Sequence, residues 1–148
     1  MAEGDASVYN QFKHALLHGD CKLTTDTIKV ALMGTGYTYS VDQASGFASI
    51  NSLEITSSGY AAGGCDIATP TVVRVDTADI ARFDAADLTW ANLGTDTIDH
   101  AIMWDDTVTA TFAGAIADVL MIHWEIATNS NGGNYTLQFG ASGILELG

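Results

Sequence analysis

The sequence has little charge, a single proline and two cysteines. Charged residues make up 16% of its 148 positions, against about 25% in a typical soluble domain. Because a small domain with few charged side chains leaves uncharged surface exposed, this composition favours a protein that neighbouring subunits cover. Cys21 and Cys65 do not form a CxxC pair, so we interpret them as small buried apolar residues rather than as a disulfide bridge or metal ligands.

Positive charge is especially scarce. Eighteen acidic residues stand against five basic ones, which gives a formal net charge of −13. Neutralising phosphates requires clustered lysine and arginine, and no window of the sequence contains such a cluster. We therefore expect no nucleic-acid partner and an acidic, solvent-facing surface. The basic residues are Lys13, Lys22, Lys29, Arg74 and Arg82.

Long hydrophobic runs and a secretory leader are also missing. The first ten residues, MAEGDASVYN, contain neither a basic stretch nor an apolar one, and a signal peptide needs both. The longest apolar runs are far shorter than the about 20 residues that cross a bilayer. The sequence therefore predicts no membrane partner and synthesis in a cytoplasm.

One segment, about residues 7–18, predicts an amphipathic helix. Asp5 or Ser7 is suited to cap its start, and Gly19 is suited to end it. We expect its apolar face to dock at one edge of the sheet that follows. The apolar positions that recur at helical spacing are Val8, Phe12, Ala15 and Leu16.

After this helix the apolar residues alternate with a period of two, which predicts strands bounded by turns rich in Asp, Asn, Thr and Gly. We interpret residues 37–51 as a long connection that holds a short helix or a strand. The pattern predicts one mainly β domain over residues 1–148, an antiparallel β-sandwich or a jelly-roll-like barrel with one N-terminal helix. The predicted strands are residues 27–33, 71–76, 80–84, 88–90, 97–104, 107–112, 119–126, 135–139 and 144–147.

Two of these strands, residues 97–104 and 119–126, are apolar on both faces. A sandwich strand usually needs only one apolar face. The second face has to be covered by the chain's own helix and long connection or by a neighbouring subunit, and the sequence leaves both possibilities open.

The histidines give no catalytic signature. His14 and His18 lie four apart on the predicted helix, a spacing that suits two metal ligands, but neither an HExxH motif nor a third ligand accompanies them. The tripeptide HWE at 123–125 matches half of the zinc-deaminase signature, and the cysteine half is missing. We interpret His100 as a hydrogen-bonded core or interface histidine rather than a general base. The sequence predicts no catalytic residue, no cofactor and no metal site, and a protein that is not an enzyme.

Structural roles are easier to assign. Residues 58–64, SGYAAGG, predict a turn with positive φ angles that a Cβ would disturb, with the tyrosine packed inward. Aromatic residues bury the most area per side chain, so we expect four of them to anchor the core or an interface. These structural or interface candidates are Gly59, Tyr60, Gly63, Gly64, Trp90, Trp104, Trp124 and Phe139.

Six segments follow one another in an order that is specific when they are taken together. A helix, YNQFKHALLHG, precedes the strand DTIKVAL, the turn GYAAGG and the segment FDAADLTW. The strand HAIMW and the closing run NGGNYTLQFGASGILEL complete the order. In these segments the chain resembles a family of small virion structural proteins of tailed bacteriophages, and the resemblance does not extend to residues 37–52.

The resemblance implies a virion component, and most specifically a capsid cement or decoration protein. It implies that the chain lies on the outer capsid surface and binds the major capsid protein at junctions between its subunits, as a homotrimer at three-fold or quasi-three-fold positions. Two alternatives remain open. One is a tail, connector or baseplate subunit, and the other is a host- or glycan-binding module in which a surface tyrosine, Tyr37 or Tyr39, stacks on sugars.

Overall fold

The computed structural model describes residues 6–109 and 116–148. The described part consists of antiparallel strands in three sheets and one α-helix near the N-terminus. In chain order the elements are β1 (Ser7–Val8), α1 (Asn10–His18), β2 (Ile28–Met33), two 3₁₀ helices (Phe47–Ser49 and Asn51–Leu53), β3 (Cys65–Asp66), β4 (Thr71–Val75), β5 (Ile80–Asp84), β6 (Leu88–Trp90), β7 (Asp96–Asp105), β8 (Val119–Ser130), β9 (Tyr135–Leu137) and β10 (Leu145–Leu147).

The largest sheet, which we call the central sheet, has the strand order β1-β8-β7-β2-β3. Strands β10, β5 and β4 form a second sheet in that order, called the small sheet below, and β6 pairs with β9. The prediction of a mainly β, antiparallel, sandwich-like fold with one N-terminal helix is confirmed. Over the described residues the sheets do not close into a barrel.

The N-terminal helix is shorter than the sequence predicted. Ser7 and Val8 form strand β1 against His123 and Ile122 of β8, and the helix begins only after Tyr9, which makes no side-chain capping bond. The predicted capping role of Ser7 is therefore wrong, and Asp5 lies outside the described residues. The predicted helix end is confirmed, because Gly19 has a φ of 85° and its N–H donates to carbonyl groups of the last turn.

The predicted strand at 107–112 is wrong over residues 107–109, which form no strand, and its remainder lies outside the described residues. The reason is local. The Oδ1 atom of Asp105 accepts the backbone N–H of Thr107 at 2.9 Å and that of Val108 at 3.3 Å. An aspartate that bonds its own following backbone favours a turn over a continued strand. Strand β7 therefore ends at Asp105.

One face of the central sheet packs into the main core. Side chains from this face meet α1, the small sheet and the β6–β9 pair. Apolar residues of α1, the small sheet and the β6–β9 pair therefore share one core with this face of the central sheet. The alternate strand residues that point inward are buried in this core. Large members of the main core are Phe12, Phe83, Trp90, Trp124 and Leu137.

The opposite face of the central sheet packs into a second core. It is closed by residues 37–53, which contain both 3₁₀ helices and which we call the cover segment. The two-sided apolar character of β7 and β8 is thus explained within the described residues by the chain's own connection. Members of the second core are Tyr9, Ala31, Met33, Tyr37, Phe47, Ile50, Ile102, Trp104 and Leu120.

Among the described residues, none of the helices has the length and apolar character needed to span a membrane.

Candidate functional site

The most exposed apolar part of a strand lies on the small sheet. Val72, Val73 and Leu147 are 49%, 46% and 53% exposed, and β4 is exposed along nearly its whole length. Two other large apolar side chains are exposed among the described residues, Leu17 on α1 at 90% and Val41 in the cover segment at 37%, and they lie elsewhere on the chain. Val72 and Leu147 lie on one face of this sheet and Val73 lies on the other, because successive side chains of a strand point to opposite faces.

Both edges of the small sheet are open among the described residues. Strand β4 pairs only with β5, and β10 also pairs only with β5. An edge strand presents backbone N–H and C=O groups that a strand from another chain can bind. The sequence of β4, TVVRV, is rich in β-branched residues, which favour such extended pairing. The small sheet can accordingly accept a partner through its backbone and through its apolar side chains.

The charges on the small sheet are balanced, unlike those of the rest of the chain. Both arginines of the sequence lie on it. Arg82 donates two hydrogen bonds to Glu146 Oε1, at 2.9 and 2.7 Å, and Arg74 pairs with Asp76 at 2.6 Å. A chain of net charge −13 thus has one sheet whose arginine charges are matched by neighbouring carboxylates, and electrostatic repulsion opposes contact least there.

The glycine turn at 58–64 buttresses the central sheet. Gly64 has a φ of +83°, and a Cβ at this position would lie 1.9 Å from the carbonyl oxygen of Val30. Gly59 combines a φ of +81° with a similarly close backbone, whereas Gly63 has the positive φ, +89°, but room for a Cβ. The predicted need for glycine is therefore strongest at Gly64 and Gly59, where strand and turn backbones touch.

Tyr60 connects this turn to the half-buried carboxylate of Glu54. Its hydroxyl donates to Glu54 Oε2 and accepts the backbone N–H of Leu32 at 3.2 Å, and the N–H of Gly63 also donates to Glu54 Oε2 at 2.8 Å. Burial raises the pKa of Glu54, and these two hydrogen bonds partly offset the shift. The inward packing predicted for Tyr60 is observed, since its ring packs against the main core.

The predicted aromatic anchors lie in the chain's own interior. Trp90 and Trp124 are buried in the main core, with Phe139 partly buried 5.8 Å from the Trp124 ring. Trp104 is buried in the second core, where its ring stacks on Phe47 at 4.1 Å. Of the two roles that the sequence left open, core or interface, the three tryptophans have the core role within this chain.

Two histidines meet beneath the cover segment. His100 on β7 and His123 on β8 lie with Nδ1 and Nε2 2.9 Å apart, which fits the prediction that His100 is a hydrogen-bonded histidine. Tyr39 stacks on the His123 ring at 4.1 Å, and Tyr37 meets the His100 ring edge-on at 5.3 Å. Tyr37 is buried and Tyr39 is partly buried. The interpretation of these two tyrosines as exposed sugar-stacking residues is therefore wrong, because both line the second core.

A buried carboxylate lies at the end of β7. Asp105 is fully buried, and burial raises its pKa to about 6, with the backbone N–H of Thr107 opposing and the neighbouring Asp26 reinforcing the rise. Burial and the adjacent Asp105 raise the pKa of the Cys21 thiol. Sequence reasoning identified Cys21 as buried and apolar but missed its contact with Asp105, since the two are 84 positions apart and only the pairing of β2 with β7 brings their surroundings together.

The polar side chains of the described residues are not grouped as a metal site. No group of three or more His, Cys, Asp or Glu side chains among residues 6–109 and 116–148 is arranged to hold a metal ion. His14 and His18 stack on the exposed side of α1 with ring centroids 6.0 Å apart, and His18 pairs with Asp20 at 3.0 Å. Several of the polar contacts, such as that of Glu54 with Tyr60 and that of Asp105 with Thr107, hold turns against the strands of the central sheet.

No protein-family model matches the chain, and neither a curated protein nor a solved structure matches it. A function therefore has to be inferred from the residues and their geometry.

Proposed function

We propose that the chain is a non-enzymatic virion structural protein, most specifically a capsid cement protein that binds the outer shell at junctions between major capsid subunits. The observation that carries this proposal is the small sheet, an open-edged and charge-balanced apolar surface on a strongly acidic chain. The resemblance of the sequence to virion structural proteins supplies the partner.

The small sheet has the two properties that docking on a protein lattice requires. The half-exposed side chains of Val72 and Leu147, which share one face of the sheet, offer apolar area that is lost from water on contact. The open edges of β4 and β10 offer main-chain hydrogen bonds to an extended segment of the shell. The apolar side chains supply affinity, and the backbone edge fixes the orientation of the subunit on the lattice.

The acidic remainder of the chain suits a protein that faces solvent on a large particle. Net charge of one sign keeps copies and particles apart. A subunit that binds only the assembled shell stabilises it by mass action, and many copies that each touch several shell subunits gain further through multivalency. A homotrimer at a three-fold position would present three small sheets to the lattice at once. Sedimentation of the purified chain tests whether the trimer forms before assembly.

The test of the binding surface is a neutral truncation on the small sheet. The double variant Val72→Ser with Leu147→Ser removes exposed apolar area from one face of the sheet without changing the charge, and Leu17→Ser on α1 is the control. Binding is measured by co-sedimentation with capsid shells that lack this chain. We expect the double variant to bind the shell at least about tenfold more weakly, as for central interface side chains, and the control to bind like the original chain.

Two results contradict the proposal. If the double variant binds the shell as tightly as the control, the small sheet is not the docking surface. Cryo-electron microscopy of purified virions tests the location itself, and density for this chain on the outer capsid lattice at subunit junctions is the expected result. Density confined to the tail, connector or baseplate, or absence of the chain from the particle, would overturn the cement function.

A further inference from the structure

The His100–His123 contact depends on the protonation of both rings. A hydrogen bond between two imidazole nitrogens, here 2.9 Å apart, requires a proton on one nitrogen and a bare lone pair on the other. If both rings are protonated, both nitrogens carry hydrogen, so the bond is lost. The two positive charges then lie on rings whose centroids are 5.0 Å apart, and they repel each other.

The cover segment rests directly on this pair. The Tyr39 ring lies nearly parallel to His123, with 14° between the planes, and Tyr37 meets His100 edge-on. The Tyr37 hydroxyl forms a hydrogen bond of 2.6 Å with the hydroxyl of Tyr9, which fastens the start of the cover segment to the residue before α1. The histidine pair therefore forms part of the surface of the central sheet on which the cover segment packs.

A second proton on the histidine pair would find no hydrogen-bond acceptor beneath the cover segment among the described residues. His123 is only 5% exposed, and its Nδ1 atom has no hydrogen-bond partner among the described residues. Burial, and to a smaller extent the neighbouring His100, lowers the pKa of His123 to about 4. While the cover segment is packed on the sheet, His123 therefore stays neutral at pH values below 6.5 at which a histidine in water would be protonated.

The charged groups around the pair do not remove this conflict. On the flanking strands, Glu125 is the register partner of His100 but is solvent-exposed, while on the other side the partner of His100 is the apolar Met33. The cover segment carries one charged residue, Asp42, whose carboxylate accepts the Asn10 side-chain amide. Among the described residues, the other ionisable side chains in ring contact with the pair are those of Tyr37 and Tyr39.

We propose that the His100–His123 pair is an acid-sensitive latch, whose double protonation releases the cover segment from the central sheet and exposes the second core. Release would uncover apolar side chains of the sheet such as Met33, Trp104 and Leu120, while the main core stays closed by α1 and the β6–β9 pair. The latch is independent of the virion function proposed above, since it rests on contacts remote from the small sheet.

The experiment is hydrogen exchange of the full chain, followed by mass spectrometry from pH 7.5 to pH 4, with exchange times corrected for the intrinsic effect of pH. The amides that report release include that of Phe47, which donates to the Asp118 carbonyl, and that of Asn10, which donates to the Val41 carbonyl. Opening takes up one proton at His123 between its ordinary pKa of 6.5 and its closed-state pKa of about 4. The opening equilibrium should therefore rise about tenfold per pH unit in this range, while β7 and β8 stay protected.

Three variants locate the effect. His123→Phe keeps a ring for Tyr39 to stack on but cannot titrate, so its cover segment should stay closed at pH 4. His100→Gln keeps a hydrogen-bonding group beside His123 but removes the second charge, so its opening should require lower pH than in the original chain. His14→Gln, on the exposed side of α1, is the matched control and should open like the original chain.

Three results would overturn the latch. The first is an original chain whose cover segment stays protected at pH 4. The second is acid opening of unchanged midpoint in His123→Phe or in His100→Gln. The third is loss of protection in β7 and β8 together with the cover segment, since that pattern describes global acid unfolding rather than release of one face.

Discussion

The two faces of the central sheet are closed in different ways. The main core is closed by further strands, and β6 with β9 and β5 with β10 are held by backbone ladders. The second core is closed by the cover segment, which reaches its neighbours through isolated contacts such as the Phe47 amide on the Asp118 carbonyl. A ladder fails only when several hydrogen bonds break together, whereas isolated contacts open singly. The comparison predicts that the main core is the more permanent of the two and that the second core opens more easily.

The two faces also respond to pH with opposite signs. The folded-state pKa of Asp105 is raised to about 6 from 3.8, so its contribution to stability is complete below pH 3.8 and is lost as the pH rises through 6. The folded-state pKa of His123 is lowered to about 4 from 6.5, so its contribution is complete above pH 6.5 and is lost as the pH falls towards 4. Acid therefore favours the Asp105 site and opposes closure of the second core.

The largest effect we expect comes from breaking the main core. Trp124→Ala removes a buried indole next to Phe139 and should lower the free energy of unfolding by about 3–5 kcal/mol. Because the main core is part of the cooperative structure, protection should fall in β7, in β8 and in the cover segment alike. Urea unfolding measures the loss, and hydrogen exchange shows its distribution. Trp124→Phe, which leaves a smaller cavity, is the control and should cost less.

A smaller and local effect is expected on the other face. Phe47→Ala removes the ring that stacks on Trp104 at 4.1 Å, a contact of the same class as the one lost in Trp124→Ala. We expect only about 1–2 kcal/mol of global destabilisation, because the cover segment can open without unfolding the sheet and so limits the cost. Exchange should accelerate in residues 37–53 and little elsewhere. A uniform loss of protection as large as that of Trp124→Ala would erase the distinction between the faces.

The sequence predicted the strands better than it predicted what joins them. Alternation is a local pattern, so β5 and β6 have the predicted bounds and the two-sided apolar character of β7 and β8 was visible in advance. The cover segment lacked a regular period, and its docking depends on contacts with residues far along the chain, such as Gln11 with the carbonyls of Gln43 and Ser45. One signal was available: residues 37–53 hold three aromatic residues and a single charged one, an unusual composition for a solvated loop.

The contact between His100 and His123 could not have been predicted from composition or from a local periodic pattern. His100 and His123 become neighbours only through the antiparallel register of β7 and β8, which shifts at an irregularity between Ile98 and His100. A shift of one residue would place one of the rings on the opposite face. The glycine turn was the reverse case, because its positive φ angles follow from residue type alone and only the closeness of Gly64 to Val30 required the structure.

The smallest effect we expect sharpens the contrast in pH response. Asp105→Asn keeps an oxygen that can accept the N–H groups of Thr107 and Val108 and removes the buried negative charge. Because the original side chain is destabilising when ionised, the variant should be more stable by about 1 kcal/mol at pH 7.5, and the difference should vanish at pH 4, where Asp105 is already protonated. Thermal unfolding at both pH values measures this difference. The control is Asp106→Asn, which removes one negative charge from an exposed neighbouring position and should give no such gain in stability. A variant that loses stability at pH 7.5 would mean that the ionised carboxylate holds the end of β7 more strongly than its burial opposes it.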